Sequence, residues 1–325
     1  MRKNTMHKTR GAGNIRFVLL HENVIFNQNS IKPLKLSAVY GNLKKQYQKK
    51  EQVNVYNPAS SRIILDTAHA CDKGDMRPVN EDRVLVKKYV ITNEEWGLFV
   101  VADGMDGKPR GHSGEVSQIV VDVLSDWWDN ELATILSIPF QTSFVLNSLD
   151  KAIENANAKI AAIQTEKIIG STMSLLLMMG QKYAIRHVGD SRIYLLNKSS
   201  GIQQITEDHT YVAQQVRAGL LTPEDARIHP KRNIITRCMG TKDMPGLFAN
   251  EGDCALGDIF LLCSDGFYTL VSEKTMFDIA SNPSLPIGEK VPSLRMCIEY
   301  GKAHDNISII LVCPKIQRGE NADNE

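Results

Sequence analysis

Several carboxylates in this sequence stand at the ends of apolar runs that have the length of β-strands. Asp103, Asp190 and Asp265 follow such runs, Asp305 precedes one, and Glu81 and Asp82 begin another. A single Asp-Gly pair, such as the one at Asp103, would indicate a turn, because both residues tolerate positive φ. The repetition favours a different explanation, in which several strand ends bring their carboxylates to one edge of a sandwich.

Acidic side chains gathered at one edge repel one another and cannot all ionise without compensation. Oxygen ligands without paired Cys or His favour hard cations, Mg²⁺ or Mn²⁺. Two such ions can activate a water molecule and hold the oxygens of an in-line displacement at phosphorus. Arg77, a few residues before Glu81, could supply a fixed positive fork for phosphate. These residues favour two-metal chemistry at phosphorus and leave its substrate open.

The elements that must position these residues can be predicted from periodicity. Apolar runs of strand length lie at 63–65, 98–102, 173–179, 183–188, 193–196, 259–263 and 307–312. Apolar residues recur with helical spacing over 116–128 and 145–163, and a further helix is predicted over 291–303. The "GQK" link at 180–182 is so short that the two strands it joins must be antiparallel. The pattern predicts antiparallel α+β layers, with a polar, flap-like segment at about 208–240.

Composition limits the class of protein. The chain has 42% hydrophobic and 23% charged residues, as soluble globular proteins do. No apolar stretch approaches the roughly 18 residues that a membrane helix needs, so we expect a cytoplasmic protein. None of the six cysteines forms a C-x-x-C pair. We therefore expect buried, reduced thiols rather than a zinc site or disulfides.

The net charge of +1 hides an asymmetry. Residues 1–58 contain eleven Lys and Arg against two Asp and Glu, a net charge of +9, whereas the rest of the chain carries −8. We interpret 1–58 as a basic N-terminal extension with short strands at about 15–20 and 34–40, and 317–325 as a polar tail. The basic charge suits an acidic partner, nucleic acid or anionic lipid, and it fits at least as well a solvated tail that packs loosely on an acidic domain. The extension has no specific nucleic-acid motif.

Eight short motifs follow one another along the chain in an order that matches a known family pattern. They are "GDMRPVNED", "FVVADGMDG", "GST", "HVGDSRIY", "TEDHT", "NIITRCMG", "FLLCSDGF" and "HDNISIILV". In order and context they resemble the metal-dependent protein phosphatase 2C family, in its bacterial form, over residues 62–314. The resemblance implies a catalytic domain at 59–316. Its implied fold is α+β, a four-layer sandwich of two antiparallel β-sheets flanked by α-helices, with the metal site at one end.

The resemblance also implies roles for single residues. Asp103 resembles the carboxylate that bridges both metals, and Gly104 the backbone carbonyl ligand beside it. Asp265 and Asp305 resemble the ligands that complete the first metal. Glu81, with Asp82 beside it, resembles the acid that reaches the second metal, and Asp190 resembles the ligand of a third, weaker metal. Arg77 resembles the arginine that binds the phosphate, and Asn306 would hold Asp305 or a metal-bound water.

Two features of the loop after Asp103 depart from the family. Asp106 stands where the family usually has glycine, and the stretch up to Gly114 is longer by a few residues. The added negative charge bears on metal affinity. His112 could act as general acid because its ordinary pKa is near neutrality, but an exposed loop histidine is the favoured interpretation.

The implied activity is that of a Ser/Thr phosphoprotein phosphatase, in which a metal-bridging hydroxide attacks phosphoserine or phosphothreonine. The implied cofactors are two Mn²⁺ or Mg²⁺ ions, and the implied partners are phosphorylated substrates of a Ser/Thr kinase. Two alternatives remain open. One is a catalytically weak phosphoprotein-binding regulator, supported only by Asp106, and the other is a two-metal phosphoesterase with another substrate class.

Overall fold

A computed structural model describes residues 61–91, 93–106, 113–136, 142–163 and 169–318, and the backbone of three short strands nearer the N-terminus. The chain divides into two compact units, residues 1–57 and 58–325. The first unit contains an antiparallel three-stranded sheet of β1 (Arg10–Gly11), β2 (Asn14–Val18) and β3 (Ile25–Asn27). The strand predicted at 15–20 overlaps β2, and the one predicted at 34–40 lies outside the described residues.

The second unit is built on eleven strands joined by hydrogen bonds into one sheet. They are β4 (Arg62–Asp72), β5 (Asp82–Ile91), β6 (Glu94–Asp106), β7 (Ile169–Ser171), β8 (Met173–Met179), β9 (Lys182–Val188), β10 (Arg192–Asn197), β11 (Gly201–Gln204), β12 (Phe248–Asp253), β13 (Ile259–Cys263) and β14 (Ile307–Gln317). All the runs predicted as strands fall within these elements. Every pairing in this sheet is antiparallel except one parallel bridge, Ile63 with Glu94.

The helices of this unit are short except for two. They are α1 (Ser113–Asp126), which continues as a π-helical segment (Trp127–Leu132), α2 (Ala133–Leu136), α3 (Thr142–Ile163), α4 (Tyr211–Arg217), α5 (Pro223–Ile228), α6 (Asp265–Tyr268), α7 (Glu273–Ala280) and α8 (Ile287–Met296). The prediction of a helix over 291–303 is only half right. Helix α8 begins four residues earlier and ends at Met296, and the chain then turns through Gly301, whose φ of +79° suits glycine.

Three buried clusters explain how the sheet curls. The first packs α1 and α3 on one face of β6 and β8, and the second packs α7 and α8 on one face of β13 and β14. The third, called here the central cluster, joins the opposite faces of strands far apart in the sheet order, with Phe99 and Leu176 beside Phe260 and Ile310. These residues can share a core only if the sheet curls back on itself. The result is a mixed, curled sheet with helices outside.

Three smaller expectations need correction or detail. Cys71 and Cys297 are exposed, so the cysteines are not all buried, although all six are free thiols. Strand β14 runs to Gln317, whose side chain accepts a hydrogen bond from Arg62, so the predicted polar tail begins inside a strand. The segment 208–240 contains α4 and α5 and is held to the core by bridges such as Ser171 with Met239. No helix among the described residues is long and apolar enough to span a membrane.

Candidate metal centre

Strand alternation places a set of polar side chains at one end of the central cluster. In several strands a polar residue lies on the same face as the apolar residues of this cluster, two positions before the first of them or two positions after the last. These residues are Asp82 in β5, Asp103 in β6, Ser174 in β8, Ser264 directly after β13 and Ser308 in β14. The Ser308 hydroxyl donates to Asp82 Oδ2 at 2.7 Å, which joins the two halves of the sheet at this end.

Asp103 lies where β6 changes partner, and it is not in a turn. The strand pairs with β8 as far as Val101 and with β7 from Gly104 onward, so β6 continues past Asp103. Between these two pairings, Thr172 forms the hydrogen bonds to the Asp103 backbone. Its N–H donates to Asp103 O at 2.8 Å, and its hydroxyl accepts from Asp103 N at 2.9 Å. The Gly104 N–H donates to Glu81 O at 3.2 Å. The backbone is thus fixed while the half-buried Asp103 carboxylate is available to a ligand.

Asp82 carries an unsatisfied buried oxygen. The residue is paired directly with Asp103 across β5 and β6, and it is only 1% exposed. Oδ2 accepts from Ser308, but Oδ1 has no hydrogen-bond partner among the described residues. Burial, reinforced by the charges of Asp265 and Asp305, raises the Asp82 pKa to about 7, against the opposing effect of the nearby Ser308 and Ser264 hydroxyls. A buried acceptor without a donor is uncommon in folded proteins and indicates a missing partner.

Asn306 holds the loop that carries Arg77 and Glu81. Its side-chain oxygen accepts from Glu81 N at 2.8 Å, and its amide donates to Val79 O at 3.1 Å. The prediction that Asn306 holds Asp305 applies to its backbone N–H, which donates to Asp305 Oδ1 at 2.8 Å. Arg77 Nη2 in turn donates to Asp305 Oδ2 at 2.7 Å. The exposed Arg77 guanidinium is therefore engaged by a predicted metal ligand.

Asp265, at the start of a helix, and Asp190, in the bend between two strands, belong to the same region. Asp265 begins α6, which packs so closely on the loop before β14 that a Cβ on Gly266 would lie 2.1 Å from Asn306 O. Burial and the charge of Asp305 raise the Asp265 pKa to about 6. Asp190 is 6% exposed, and burial together with Asp265 raises its pKa well above the ordinary value.

Electrostatics ties the predicted residues into one cluster. Burial raises the pKa of Asp103 well above its ordinary value, and the charges of Asp82, Asp265, Asp190 and Asp305 raise it further, in that order. The hydrogen bond to Asp305 raises the Arg77 pKa, with contributions from Glu81 and Asp103. Every predicted side chain of the site therefore lies within electrostatic reach of another, and Gly104 lies buried beside Asp103.

The oxygen donors of these side chains are of the kind that hard divalent cations prefer. These side chains are not oriented so that they converge on one cation position. No three Asp, Glu, His or Cys side chains of the described part are arranged to ligate a single ion. The observations in favour are the unsatisfied Asp82 Oδ1 and five mutually repelling aspartates without enough positive charge beside them. Binding of a cation would require a rearrangement that includes the contact between Arg77 and Asp305.

Sequence reasoning missed the residues that support the aspartates. The Thr172 and Ser191 hydroxyls are 2.8 Å apart, and the Ser308 N–H donates to Ser264 Oγ at 3.0 Å. Arg192 Nη2 donates to Asp208 Oδ2 at 2.7 Å, and the guanidinium carbon of Arg192 lies 3.8 Å from the centre of the Tyr268 ring. Alternation in the apolar strands places Ser264 and Ser308 on the face of the central cluster, but it does not indicate that they contact an aspartate. The Asp106 side chain and His112 lie outside the described residues.

Comparison with known proteins identifies the family of this chain. A family model described as Protein phosphatase 2C matches residues 77–294. The serine/threonine protein phosphatase PstP of Mycobacterium tuberculosis is 33% identical over 257 residues, which is 77% of this chain but 45% of that protein. This chain thus spans less than half of that relative. The serine/threonine phosphatase stp of Listeria welshimeri is 31% identical, over 77% of this chain and 97% of its own length.

A solved structure supports the same likeness. The catalytic domain of PstP in complex with two manganese ions superposes with a TM-score of 0.62 at 30% identity, covering 78% of this chain and 99% of that one. The manganese ions belong to that structure.

Proposed function

The chain belongs to the protein phosphatase 2C family, and we propose that it hydrolyses phosphoserine and phosphothreonine in proteins with bound Mn²⁺ or Mg²⁺. The observation that carries the proposal is the cluster of five aspartates at one end of the central cluster, with Arg77 at its exposed side. Relatives that this chain matches over nearly their whole length, and that are named serine/threonine phosphatases, support the substrate class.

We assign the metal ligands as follows from the family pattern. Asp103 would bridge two ions with the Gly104 carbonyl beside it, Asp265 and Asp305 would complete one ion, Glu81 and Asp82 would serve the other, and Asp190 would serve a weaker third. Bound divalent ions lower the pKa of water and neutralise the charge on phosphoryl oxygens. The orphaned Asp82 oxygen supports this assignment.

The chain's own groups supply binding and orientation. Arg77 is the cation that would bind the phosphoryl oxygens, because a guanidinium matches their geometry with two parallel N–H donors. It must first exchange Asp305 for the phosphate, which Asn306 assists by keeping the Arg77 loop in place. A cavity of about 390 Å³ beside Glu81, lined in part by Val79 and Gly114, offers room for substrate residues that flank the phosphate.

We also propose the finer features of the molecule. The curled sheet would form two facing layers with helices on both outer sides, a four-layer sandwich, which the composition of the three buried clusters supports. Six free cysteines suit a reducing compartment such as the cytoplasm. The partners would be phosphorylated substrates of a Ser/Thr kinase.

A substrate panel tests the proposal. The purified full chain with Mn²⁺ should release phosphate from a phosphothreonine peptide much faster than from a phosphotyrosine peptide or a phosphodiester, and EDTA should stop the release. Binding of the phosphothreonine peptide without turnover would identify a regulator instead. Preference for the diester or for a small phosphate ester over the peptide would identify a phosphoesterase of another class.

A further inference from the structure

A second polar cavity lies at the far end of the sheet from the aspartates. It has a volume of about 200 Å³ and lies between the ends of β10, β13 and β14 and the connection from α7 to α8. We call it the lysine cavity, because Lys198, Lys290 and Lys315 all line it. Ile259, at the start of β13, lines the cavity, whereas Asp265 comes after the end of that strand. Six residues at the rise of a β-strand separate the two by about 20 Å.

Lys290 is the distinctive residue of this cavity. It is only 7% exposed, which is rare for a lysine. Its ammonium group donates to Ala280 O, the last residue of α7, at 2.5 Å. An ammonium has three N–H donors, so this single bond leaves two to be satisfied. Burial lowers the Lys290 pKa, with the charges of Lys315 and Lys198 acting in the same direction.

The carboxylates nearby do not balance these charges. Asp66 is already paired with Lys315. Asp258, next to the cavity wall, has one oxygen bound by Asn197 Nδ2 at 2.6 Å and the other by Ala255 N at 2.9 Å. Lys198 has no hydrogen bond or ion pair with the described residues. The buried Lys290 and the exposed Lys198 therefore line the same small cavity, and neither is paired with a carboxylate among the described residues.

The rest of the lining is largely apolar. Leu196, Ile259 and Ile287 form part of the wall, and Leu285 lies on the connection from α7 to α8. The volume equals that of about seven water molecules, too small for a folded partner or a nucleotide. We propose that the lysine cavity binds a small organic anion with a short apolar body, such as a short-chain monocarboxylate. The carboxylate lies between Lys198 and Lys290, and the hydrocarbon part contacts the apolar wall.

Calorimetric titration of the full chain with sodium hexanoate, at low ionic strength and in EDTA, tests the proposal. We expect saturable binding with a Kd on the order of 1 mM, as suits so small a ligand. Lys198→Gln and Lys290→Met should each weaken it about fivefold or more, whereas Lys274→Gln, a matched change at an exposed lysine, should leave it unchanged. Inorganic phosphate, which lacks the apolar part, should bind at least fivefold more weakly than hexanoate.

Alkylation of Cys313, which lines the same cavity and is 6% exposed, gives a second readout that does not require a variant to fold. Hexanoate should slow the modification of Cys313, located by peptide mass, and leave that of the exposed Cys297 unchanged. The proposal is overturned if hexanoate shows no saturable binding at 20 mM (roughly 20 times the expected Kd), if the lysine variants bind like the wild type, or if Cys313 is not protected. Equal binding of phosphate would overturn the assignment of an apolar ligand.

Discussion

At the scale of single residues, the aspartate cluster carries more negative charge than the positive side chains beside it can balance. Asp82, Asp103 and Asp265 all have raised pKa values because they are buried together. Near neutral pH, ionising them without a cation costs folding free energy. Arg77 lies at the exposed side of the cluster, and its guanidinium bonds Asp305 and none of these three aspartates. The cluster therefore lowers the stability of the metal-free protein and raises its affinity for cations.

Removing one of these charges should stabilise the metal-free protein. We expect Asp103→Asn, at pH 8 in EDTA, to raise Tm by about 2–4 °C, the shift that about 1 kcal/mol produces in a protein of this size. Differential scanning calorimetry of both proteins measures it. Asp253→Asn, at an exposed surface pair, is the control and should leave Tm unchanged. A lower Tm for Asp103→Asn would show that the cluster does not repel.

The acidic residues of the site could be predicted from sequence because each stands beside a strand-length apolar run. Their supporting residues could not be assigned, since a serine at a strand end looks the same whether it faces solvent or an aspartate. Ser308 became informative only when the fold placed it 2.7 Å from Asp82. The contact between Arg77 and Asp305 was also unforeseen, because the two residues are 228 positions apart.

At the scale of elements, Arg192 links the flap to the helix that begins with Asp265. Its guanidinium binds Asp208, the first residue of the flap-like segment 208–240, and also donates to the Tyr194 hydroxyl at 2.9 Å. The same group stacks on Tyr268 in α6. One side chain thus connects three elements beside Asp190 and Asp265. Its charge also opposes the raised pKa of both aspartates.

Arg192→Lys keeps the charge and removes this geometry. A lysine cannot form two bonds to Asp208 while stacking on Tyr268, so we expect a loss of about 1–3 kcal/mol in the free energy of unfolding. We also expect severalfold weaker Mn²⁺ binding, because α6 carries Asp265. Urea unfolding and calorimetric metal titration measure the two effects. Arg217→Lys is the control, because Arg217 forms a more exposed ion pair of 3.7 Å with Glu207, and it should change neither the stability nor the Mn²⁺ affinity. An effect of Arg217→Lys as large as that of Arg192→Lys would contradict the role of Arg192.

His209, also in the flap, should make stability depend on pH. Its Nδ1 accepts from Gly189 N at 3.2 Å, which requires a neutral ring, and burial, helped by Arg237 and Arg217, lowers its pKa to about 4. Between pH 6.5 and 4 the unfolded chain therefore binds more protons at this residue than the folded chain does. The free energy of unfolding consequently falls as pH falls through this window, by up to about 3 kcal/mol from this group.

A substitution isolates this contribution. His209→Gln retains an acceptor for Gly189 and does not titrate. Its stability deficit relative to the wild type, measured by urea unfolding, should shrink by about 2 kcal/mol between pH 7 and pH 4.5. The contributions of the aspartates cancel in this difference. A deficit that stays constant over the same range would show that His209 titrates at its ordinary pKa.

At the scale of the whole molecule, the sequence was sufficient to predict a fold of antiparallel strands and helices, because seven of the eleven strands of the second unit contain an apolar run; short or polar strands such as β11 and β12 gave no such signal. The order of the strands could not be predicted. The one parallel bridge, Ile63 with Glu94, joins the halves of the sheet through a contact that no local pattern encodes. The exchange of partners by β6 at Asp103 is equally a property of the assembled sheet.

Deleting residues 1–58 should leave the chemistry nearly unchanged. These residues carry +9 against −8 for the remainder, and the family motifs begin after them. Turnover of p-nitrophenyl phosphate by the truncated protein should stay within about twofold of the full chain, because every predicted site residue belongs to the second unit. A truncated protein that folds, shown by its circular dichroism, but no longer turns over the ester would make the extension part of the catalytic unit.

The central claim is that the aspartate cluster holds the metal ions of a Ser/Thr phosphatase. Its most direct test is the rate of phosphate release from a phosphothreonine peptide in saturating Mn²⁺, measured for the wild type and Asp103→Asn. We expect turnover by the wild type and a fall of about a hundredfold or more in kcat for the variant, while the variant remains folded. Equal turnover by the two proteins would contradict the assignment of Asp103 and with it the two-metal site.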